Sequence, residues 1–393
     1  MSLPHVLPQS VLRHAPPGGR SYLYRPAELL VHDDGEPRAR RDLGEARASR
    51  DADYGGALGV GRYRLPAGVD VPGLVRRLRR DGIAAAPNHV VIGAPKWGGH
   101  PASPPVPAAG PVPEPDKASG RCTVAVLDTG IWSGHPQLGG RVRALAGARE
   151  EEALDSGSPD GRLDAQAGHG TFVSGVVLQV APSADVVAAK VLDSAGYADE
   201  ALVAERLLEL PPVDVVNLSF GGATADDAGL LAVEAALRAL PEETVVVASA
   251  GNDHELRSAG MPIHPAALPN VLAVAAVDRD LFDRWQRAWF SNYGTWVDVC
   301  APGVDVTSAF VAWDGPVALG DPDRVERFDG YARWSGTSFA APVVSGAIAQ
   351  LVCSGEARSA RAATDALLGA GDPVELGRDV DGSGIAAPLV VPR

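Results

Sequence analysis

Short apolar runs alternate with longer stretches of helical periodicity throughout residues 121–393. Runs rich in Val and Ala predict buried strands at Val124–Leu127, Val186–Val191, Val213–Leu218, Val245–Ala248, Val271–Ala275 and Val297–Val299. Helical spacing predicts helices at Thr171–Val180, Glu200–Leu210, Asp226–Leu240 and Thr337–Val352. Because buried strands alternate with helices, we expect an α/β fold, with a mainly parallel sheet and helices on both of its faces. Functional residues of such sheets lie at the carboxyl ends of the strands.

The first 92 residues predict a smaller fold of another class. Apolar or alternating runs predict strands at Tyr22–Val31, Gly59–Leu65 and Ile83–Ile92. Val71–Asp81 predicts a basic amphipathic helix, which presents Arg76, Arg77, Arg79 and Arg80 together. The charged stretch Arg38–Asp53 fits either a loop or a surface helix. We therefore expect a small α+β domain that precedes the α/β domain.

Prolines recur through residues 93–120. A segment of this composition cannot form a helix or a central strand, because proline lacks the backbone N–H that both require. We predict an extended linker over residues 93–120. The linker separates an N-terminal domain at 1–92 from a second domain at 121–393.

The charge of the chain is strongly negative and unevenly distributed. The formal net charge of the 393 residues is −14, which argues against nucleic acid as a partner. Residues 1–118 hold 16 Lys and Arg against 12 Asp and Glu, a net charge of +4, whereas the remainder carries −18. Opposite charges of this size favour association between the two parts.

The sequence gives weaker indications of where the protein is located and of whether its cysteines form disulfides. No apolar run reaches the ~18 residues that span a bilayer, so no membrane association is expected. The segment Met1–Pro8 lacks the basic region and the uninterrupted apolar core of a signal peptide. We therefore expect a cytoplasmic protein, or a secreted one if the true start lies elsewhere. The odd number and wide spacing of Cys122, Cys300 and Cys353 predict buried thiols rather than a disulfide framework or a zinc site.

Three segments place reactive side chains at the ends of predicted elements. Asp128 ends the first strand of the α/β region, His169 enters a helix, and Ser338 lies between a small-residue turn and an apolar helix. A serine at a helix N-terminus has a backbone N–H that can face an oxyanion. The order Asp, His, Ser is one of the chain orders in which unrelated folds build a catalytic triad. Taken singly, Asp128 could close a turn and Ser338 could cap a helix.

These segments resemble the catalytic motifs of the subtilisin-like serine proteases, the subtilases. Further segments in the family order extend the resemblance over roughly residues 120–370: Asn217–Gly222, Ser249–Asp253, Phe290–Gly294 and Ala301–Gly303. The resemblance implies a subtilisin-like fold and a serine endopeptidase that hydrolyses peptide bonds through an acyl-enzyme.

The chemistry of the triad assigns a role to each residue. His169 would accept the proton of Ser338, and Asp128 would fix the tautomer of His169. The side-chain amide of Asn252 and the backbone N–H of Ser338 would hold the oxyanion. An extended substrate would pair with exposed strand edges, and the two candidate edges are Ser219, Phe220 and Gly221 on one side and Asp193–Tyr197 on the other. The resemblance further implies that Ala250, Gly251 and Ile263 line the pocket for the residue before the cut.

Residues 1–92 resemble a subtilase propeptide, most clearly at Ala86–Val91, which implies a precursor inhibited by its own N-terminal domain. Gln137 stands where many relatives carry an acidic calcium ligand, so we expect no calcium there and no metal or other cofactor. The run Glu150–Glu152, with Asp155, Asp160 and Asp164, is interpreted as a solvated acidic loop rather than an ion site.

Two other functions remain open beside a general peptidase with peptide or protein substrates. One is a dedicated maturation peptidase for a single peptide or protein partner, and the other is an inactive scaffold with a protease fold. The presence of Asp128, His169, Asn252 and Ser338 argues against the scaffold.

Overall fold

The structure is a computed structural model. It describes residues 8, 10–93, 104–110, 122–138, 140–156, 159–253, 260–318, 324–379 and 381–392. Two predictions fall largely outside these residues. They are the absence of a signal peptide, which concerns the first eight residues, and the linker, of which 94–103 and 111–120 are not described.

The helices and strands are numbered in chain order. The helices are α1 (Glu36–Glu45), α2 (Val71–Arg80), α3 (His169–Val180), α4 (Glu200–Leu208), α5 (Leu231–Ala239), α6 (Thr337–Cys353) and α7 (Ala360–Ala370). The first strands are β1 (Leu12–His14), β2 (Tyr22–His32), β3 (Ser49–Arg50), β4 (Val60–Arg64), β5 (Ala85–Gly93), β6 (Val106–Pro107), β7 (Thr123–Asp128), β8 (Val142–Ala144), β9 (Asp185–Lys190) and β10 (Tyr197–Asp199). The others are β11 (Val215–Leu218), β12 (Phe220–Gly221), β13 (Val245–Ser249), β14 (Val271–Arg279), β15 (Trp285–Arg287), β16 (Val299–Pro302), β17 (Val306–Pro316), β18 (Val325–Trp334), β19 (Pro373–Arg378) and β20 (Gly384–Pro388).

The chain forms two compact units. Unit 1 comprises Met1–Val91, Ala198–Glu209 and Gly222–Leu240, and unit 2 comprises Ile92–Tyr197, Leu210–Gly221 and Pro241–Arg393. Unit 1 therefore combines the N-terminal segment with two segments from the middle of the sequence. The boundaries predicted at 92 and 120 stay a prediction.

Unit 2 contains the predicted parallel sheet. Its strands lie in the order β15-β14-β13-β11-β7-β9-β8, with β16 on β14, and every pair is parallel except β14 with β15. Helices α3 and α6 pack against this sheet and against each other. Strand β13 is buried at every residue, as its continuous apolar sequence predicts. The mainly parallel α/β fold is confirmed.

Two hairpins of unit 2 were not predicted. Strands β17 and β18 form a long antiparallel pair, and β6 adds to the free edge of β18. Proline at position 107 suits this edge position, because an edge strand need not donate every N–H. Strands β19 and β20 form the second hairpin. The sequence does contain a signal for β18: apolar and polar residues alternate along its second half, where Phe328, Ala332 and Trp334 are buried.

Two of the three cysteines meet in unit 2. Cys122 precedes β7, Cys353 ends α6, and both are free thiols. A hydrogen bond to the Cys353 thiol, together with burial, raises the pKa of the Cys122 thiol. Burial alone raises the pKa of Cys300 to about 12. The thiols of Cys122 and Cys300 are thus held in their protonated, unreactive form at neutral pH, whereas Cys353 is only partly buried, unlike the sequence prediction.

Unit 1 has an antiparallel sheet in the order β3-β4-β2-β5, with β1 on β2. The predicted helix is α2, and its N-terminus is capped by Asp70, whose carboxylate accepts a hydrogen bond from the Gly73 N–H at 2.9 Å. The ambiguous stretch 38–53 contains most of α1 and all of β3. Leu29, Leu74 and Leu78 are fully buried in the core between sheet and helix.

The helix predicted over Asp226–Leu240 is wrong in its first turn. Residues 225–227 form a separate 3-10 turn, and α5 starts only at Leu231. Asp226, Asp227 and Gly229 all have positive φ, of 57°, 50° and 82°, which no right-handed helix accommodates. No helix among the residues that the structure describes is long and apolar enough to cross a membrane.

Candidate active site

Two buried side chains from unit 2 form the centre of the site. Asp128 is the last residue of β7, His169 is the first residue of α3, and both are almost completely buried. Asp128 Oδ1 accepts a hydrogen bond from His169 Nδ1 at 2.7 Å and another from the Thr129 N–H at 2.8 Å. Because the carboxylate holds the ring proton on Nδ1, the neutral imidazole presents Nε2 as an acceptor.

Glycines let these two elements approach. Gly168 has φ 81°, and a Cβ there would lie 2.6 Å from the Phe310 ring. A Cβ at Gly170 would lie 2.2 Å from the carbonyl oxygen of Gly130. A larger residue at Gly170 would push the start of α3 away from the turn that follows Asp128, and one at Gly168 would clash with Phe310 on β17.

Aromatic side chains enclose the imidazole of His169. The ring centroids of Trp334 and Phe339 lie 5.4 Å and 5.3 Å from that of His169, and Trp334 meets the imidazole at 87°. Nε2 of His169 is buried and has no hydrogen-bond partner among the residues that the structure describes. The site therefore holds a shielded base whose accepting atom is unoccupied.

Ser338 is the second residue of α6 and is buried, and the next residue, Phe339, packs against the His169 ring. Its Oγ donates to the carbonyl oxygen of Ser219 at 3.1 Å, and Ser219 Oγ donates to the carbonyl oxygen of Ser338 at 2.8 Å. Behind this reciprocal pair, Asn217 Nδ2 donates to Ser219 Oγ and Ser345 Oγ donates to Asn217 Oδ1, both at 2.9 Å. This buried chain of polar groups fixes the first turn of α6.

Asn252 approaches the same helix start from the loop after β13. Its Oδ1 accepts hydrogen bonds from the N–H and the hydroxyl of Thr337, at 2.8 Å and 2.7 Å. These two donors fix the orientation of the amide, so the remaining atom must be the NH2 group. Nδ2 is buried without a partner in the described part of the molecule. It lies 3.4 Å from the point that a Cβ on Gly336 would occupy.

A strand edge lies beside these groups and is already paired. Gly221 pairs with Ile92 and Phe220 with Gly93 in antiparallel register. On its other side, the Gly93 N–H donates to the carbonyl oxygen of Gly196 at 2.9 Å. Residues 92–93 are thus held between the two edges expected to bind an extended substrate.

The predicted pocket residues cluster at this edge. Ile263 is buried, and its Cγ2 would lie 2.6 Å from a Cβ on Gly221. Ala250 is fully buried, and the Gly251 N–H donates to the Thr337 hydroxyl at 3.1 Å. These residues lie next to the start of α6, and their contact with substrate stays a prediction.

The acidic run Glu150–Glu152 is solvated only in part: Glu151 is exposed, but the expectation was wrong for Glu150. Glu150 is fully buried, and its carboxylate accepts a hydrogen bond from the Lys190 N–H. The Glu151 carboxylate accepts from the N–H and the hydroxyl of Ser133. Glu152 bonds to residues on both sides of the Asp128–His169 pair. The partners lie far apart in the sequence, so local charge could not reveal them.

Comparisons with known proteins agree with this geometry. The subtilase family, Peptidase S8, matches residues 120–367, and the chain belongs to this family. A thermophilic serine proteinase of Bacillus sp. (strain AK1) is 33% identical over 280 residues, covering 67% of this chain and 61% of the relative. Subtilisin NAT of Bacillus subtilis subsp. natto is 34% identical over 240 residues, covering 58% and 55%. The chain thus spans only part of the length of these curated relatives.

A solved structure resembles nearly the whole chain. It is the crystal structure of fervidolysin from Fervidobacterium pennivorans, a keratinolytic enzyme related to subtilisin. The TM-score is 0.65 at 21% identity, and the match covers 99% of this chain and 63% of fervidolysin. At this identity the likeness concerns the fold alone.

Proposed function

We propose that the chain is a serine endopeptidase that cleaves peptide bonds through Asp128, His169 and Ser338. The observation that carries the proposal is the presence of two unpartnered buried groups of opposite kind beside the Ser338 turn. His169 Nε2 is a free acceptor and Asn252 Nδ2 is a free donor, among the described residues. Buried polar groups are normally hydrogen-bonded, so a reacting substrate would supply the missing partners.

The mechanism follows from these atoms. Ser338 Oγ attacks the carbonyl carbon of the substrate while its proton moves to His169 Nε2, and Asp128 stabilises the imidazolium. The tetrahedral oxyanion accepts hydrogen bonds from Asn252 Nδ2 and from the Ser338 N–H at the start of α6. The imidazolium then protonates the leaving amine. Water, activated by the same base, releases the acyl group from Ser338.

The test combines a fluorophosphonate probe with peptide hydrolysis. The probe should label Ser338, and Ser338→Ala should abolish both labelling and turnover while the circular dichroism spectrum stays native. Ser354→Ala is the matched control, because Ser354 is exposed at the opposite end of α6 and should leave both signals unchanged. Turnover retained in Ser338→Ala would refute the nucleophile. Absence of both signals from the wild-type chain, even after proteolytic cleavage within residues 94–120, would favour an inactive scaffold.

A second proposal is that the chain inhibits itself as a precursor. It is supported by residues 92–93, which pair with Phe220–Gly221 on one side and with Gly196 on the other. An extended peptide bound between two strand edges is the arrangement expected of a substrate. The chain's own backbone therefore competes with substrates for these hydrogen bonds.

Limited proteolysis of the full chain tests this second proposal. Cleavage within residues 94–120 should raise peptidase activity and the rate of fluorophosphonate labelling. Gly93→Val should raise the activity of the uncut chain, because a Cβ at position 93 would lie 2.8 Å from Leu192 Cδ1. Ile92→Val, which keeps an extended apolar residue, is the control. An uncut chain as active as the cleaved one would contradict self-inhibition.

The breadth of specificity separates a general peptidase from a dedicated maturation peptidase. Cleavage of a random peptide library should be broad if backbone pairing supplies most of the binding, since pairing does not depend on side chains. Cleavage confined to one sequence would support the dedicated enzyme instead.

A further inference from the structure

A single carboxylate beside the catalytic pair collects four hydrogen bonds. Glu152 Oε1 accepts from the Thr129 hydroxyl, the Thr171 N–H and the Thr171 hydroxyl, each at 3.1 Å. Glu152 Oε2 accepts from the Gly168 N–H at 3.3 Å. All four donors are adjacent in sequence to Asp128 or within two residues of His169.

These bonds replace the cap that α3 lacks. The N-cap residue Gly168 has no side chain to accept from the first turn. Glu152 accepts the N–H of Thr171, and the Thr129 hydroxyl accepts the N–H of Gly170 at 2.9 Å. A carboxylate at this end of a helix is also favoured by the helix dipole. The cap of the helix that carries His169 is therefore supplied from a separate segment.

The same carboxylate binds the turn that follows β7. Its partner Thr129 directly follows Asp128 and donates its N–H to the Asp128 carboxylate at 2.8 Å. Its partner Thr171 accepts the Trp132 N–H on its hydroxyl at 2.8 Å. Glu152 thus lies between the segment that carries the aspartate and the segment that carries the histidine.

We propose that Glu152 is a positioning residue, which holds the Asp128–His169 pair in its reactive geometry by bonding Thr129, Thr171 and Gly168 at once. This inference rests on the proposed peptidase function. It assigns no contact between Glu152 and the substrate. Small displacements of catalytic groups reduce turnover strongly, so the loss should fall on kcat rather than on KM.

The environment of Glu152 also makes its contribution depend on pH. Removal from water raises the pKa of the carboxyl to about 7, and the charge of Asp128 on β7 adds to this rise, while hydrogen bonds from Thr171, Thr129 and Gly168 oppose it. Above neutral pH the group is a carboxylate that accepts all four bonds. Below it the group is neutral, as a glutamine side chain is.

The main test replaces the carboxylate by its isosteric amide in the full chain. Glu152→Gln should lower kcat, measured per titrated active site at about pH 8.5, roughly tenfold, with little change in KM. The difference from wild type should shrink at about pH 6, where the wild-type carboxyl is protonated. Glu151→Gln is the matched control, because Glu151 belongs to the same acidic run but its carboxylate bonds, within the described part of the chain, to Ser133 and not to the Asp128 or His169 segments.

A second variant keeps the inference testable if Glu152→Gln folds poorly. Thr129→Val removes the hydroxyl that links Glu152 to Gly170, whereas Thr129→Ser retains it. We expect Thr129→Val to lower kcat, Thr129→Ser to restore it, and the double variant with Glu152→Gln to be less impaired than the product of the single effects.

Several results would overturn the inference. They are an unchanged kcat in Glu152→Gln, an equal loss in Glu151→Gln, a loss confined to KM, or full additivity with Thr129→Val. An active wild type with any of these results contradicts only the role of Glu152. A wild-type chain that neither hydrolyses peptides nor labels at Ser338 after cleavage within residues 94–120 contradicts the peptidase function as well.

Discussion

The described residues include two buried histidine–carboxylate pairs. In one, which we call the open pair, a ring nitrogen has no partner among these residues, and in the other, the closed pair, both ring nitrogens are bonded. In unit 2, His169 Nδ1 donates to Asp128 at 2.7 Å and Nε2 has no partner among the described residues. In unit 1, His89 Nδ1 lies 2.8 Å from Glu200 Oε2, and both side chains are fully buried. There, however, His89 Nε2 accepts the Ala225 N–H at 3.0 Å.

The carboxylate of the second pair is equally satisfied. Glu200 Oε1 accepts the Ala232 N–H at 2.7 Å, so each of these two oxygen atoms of Glu200 and each ring nitrogen of His89 has a partner. A backbone N–H cannot reverse its role, so Nε2 of His89 must be unprotonated and Nδ1 must carry the proton. The two pairs share one geometry at the carboxylate. They differ at Nε2: only a histidine whose Nε2 has no protein partner can accept a proton there, so we expect a catalytic base at His169 and not at His89.

Asp128→Asn, which disrupts the Asp128–His169 pair, should cause the largest loss of kcat. An asparagine can donate to Nδ1 and so favour the wrong tautomer, and kcat should fall about 10⁴-fold, the magnitude seen in comparable triads. Steady-state kinetics on the purified variant measure this loss. Glu200→Gln in unit 1 is the comparison, because its effect should appear in stability and leave kcat of the proteolytically activated chain unchanged. A similar loss of kcat in both variants would remove the distinction between the pairs.

Asn252→Ala should have the next largest effect. It removes the unpartnered donor while the Ser338 N–H remains, so kcat should fall about 10²–10³-fold with little change in KM. An equal loss that appears entirely in KM would show that Asn252 binds the ground state of the substrate. Thr337→Val is the control for the hydrogen bond that the Thr337 hydroxyl donates to Asn252 Oδ1, because it removes this bond and keeps the Asn252 side-chain NH2 group.

Glu200→Ala should destabilise unit 1 without touching the triad. It leaves the His89 Nδ1–H and the Ala232 N–H buried without acceptors, which costs about 1–3 kcal/mol for each orphaned group. Hydrogen exchange of the Ala225 and Ala232 amides should accelerate by at least tenfold. Unchanged protection of both amides from exchange would show that the His89–Glu200 pair does not stabilise unit 1.

Arg79→Ala should have the smallest effect. The Arg79 guanidinium donates to Asp226 at 3.1 Å and to the carbonyl oxygen of Ala225 at 3.2 Å, next to the His89 contact. Because Asp226 is largely exposed, we expect a loss of about 0.5–1 kcal/mol in urea unfolding. Arg80→Ala, on an exposed position of the same helix, should have almost no effect. A loss larger than that of Glu200→Ala would reverse the ranking of buried and exposed pairs.

The features that could be predicted from the sequence are those that depend on residues close together along the chain. Buried strands such as β7 and β13 were recognised because their apolar residues are contiguous. The candidate site residues stood out by their motifs and by their positions beside such elements: Asp128 ends β7, Asn252 follows β13, and His169 and Ser338 lie in the first turns of α3 and α6. Glu152 and Glu200 were missed because their donors are distant. Glu152 finds Gly168 and Thr171 only after the chain has folded, and Glu200 meets His89 across 111 positions.

At the start of α5, by contrast, the sequence pattern predicted a helical turn that the structure does not contain. The pattern over 226–240 is helical, but positive φ at Asp226 and Asp227 ends any helix there. Such backbone angles depend on tertiary contacts, since the carbonyl oxygen of Ala225 is bonded by Arg79 and its N–H by His89. A local propensity was overridden by partners that lie about 140 residues away in the sequence.

The composition of unit 1 also determines when this part of the protein can fold during synthesis. Its N-terminal segment ends at Val91, but the unit is completed only by residues up to Leu240. At ordinary rates of translation, roughly 7–30 s separate these two points. His89 lacks Glu200 and Ala225 until those residues have been made, and the surface of β2 and β4 that will meet α5 stays uncovered until α5 is complete. A nascent chain stopped before residue 200 should therefore remain bound to chaperones, whereas one extended past residue 240 can bury this surface on its own.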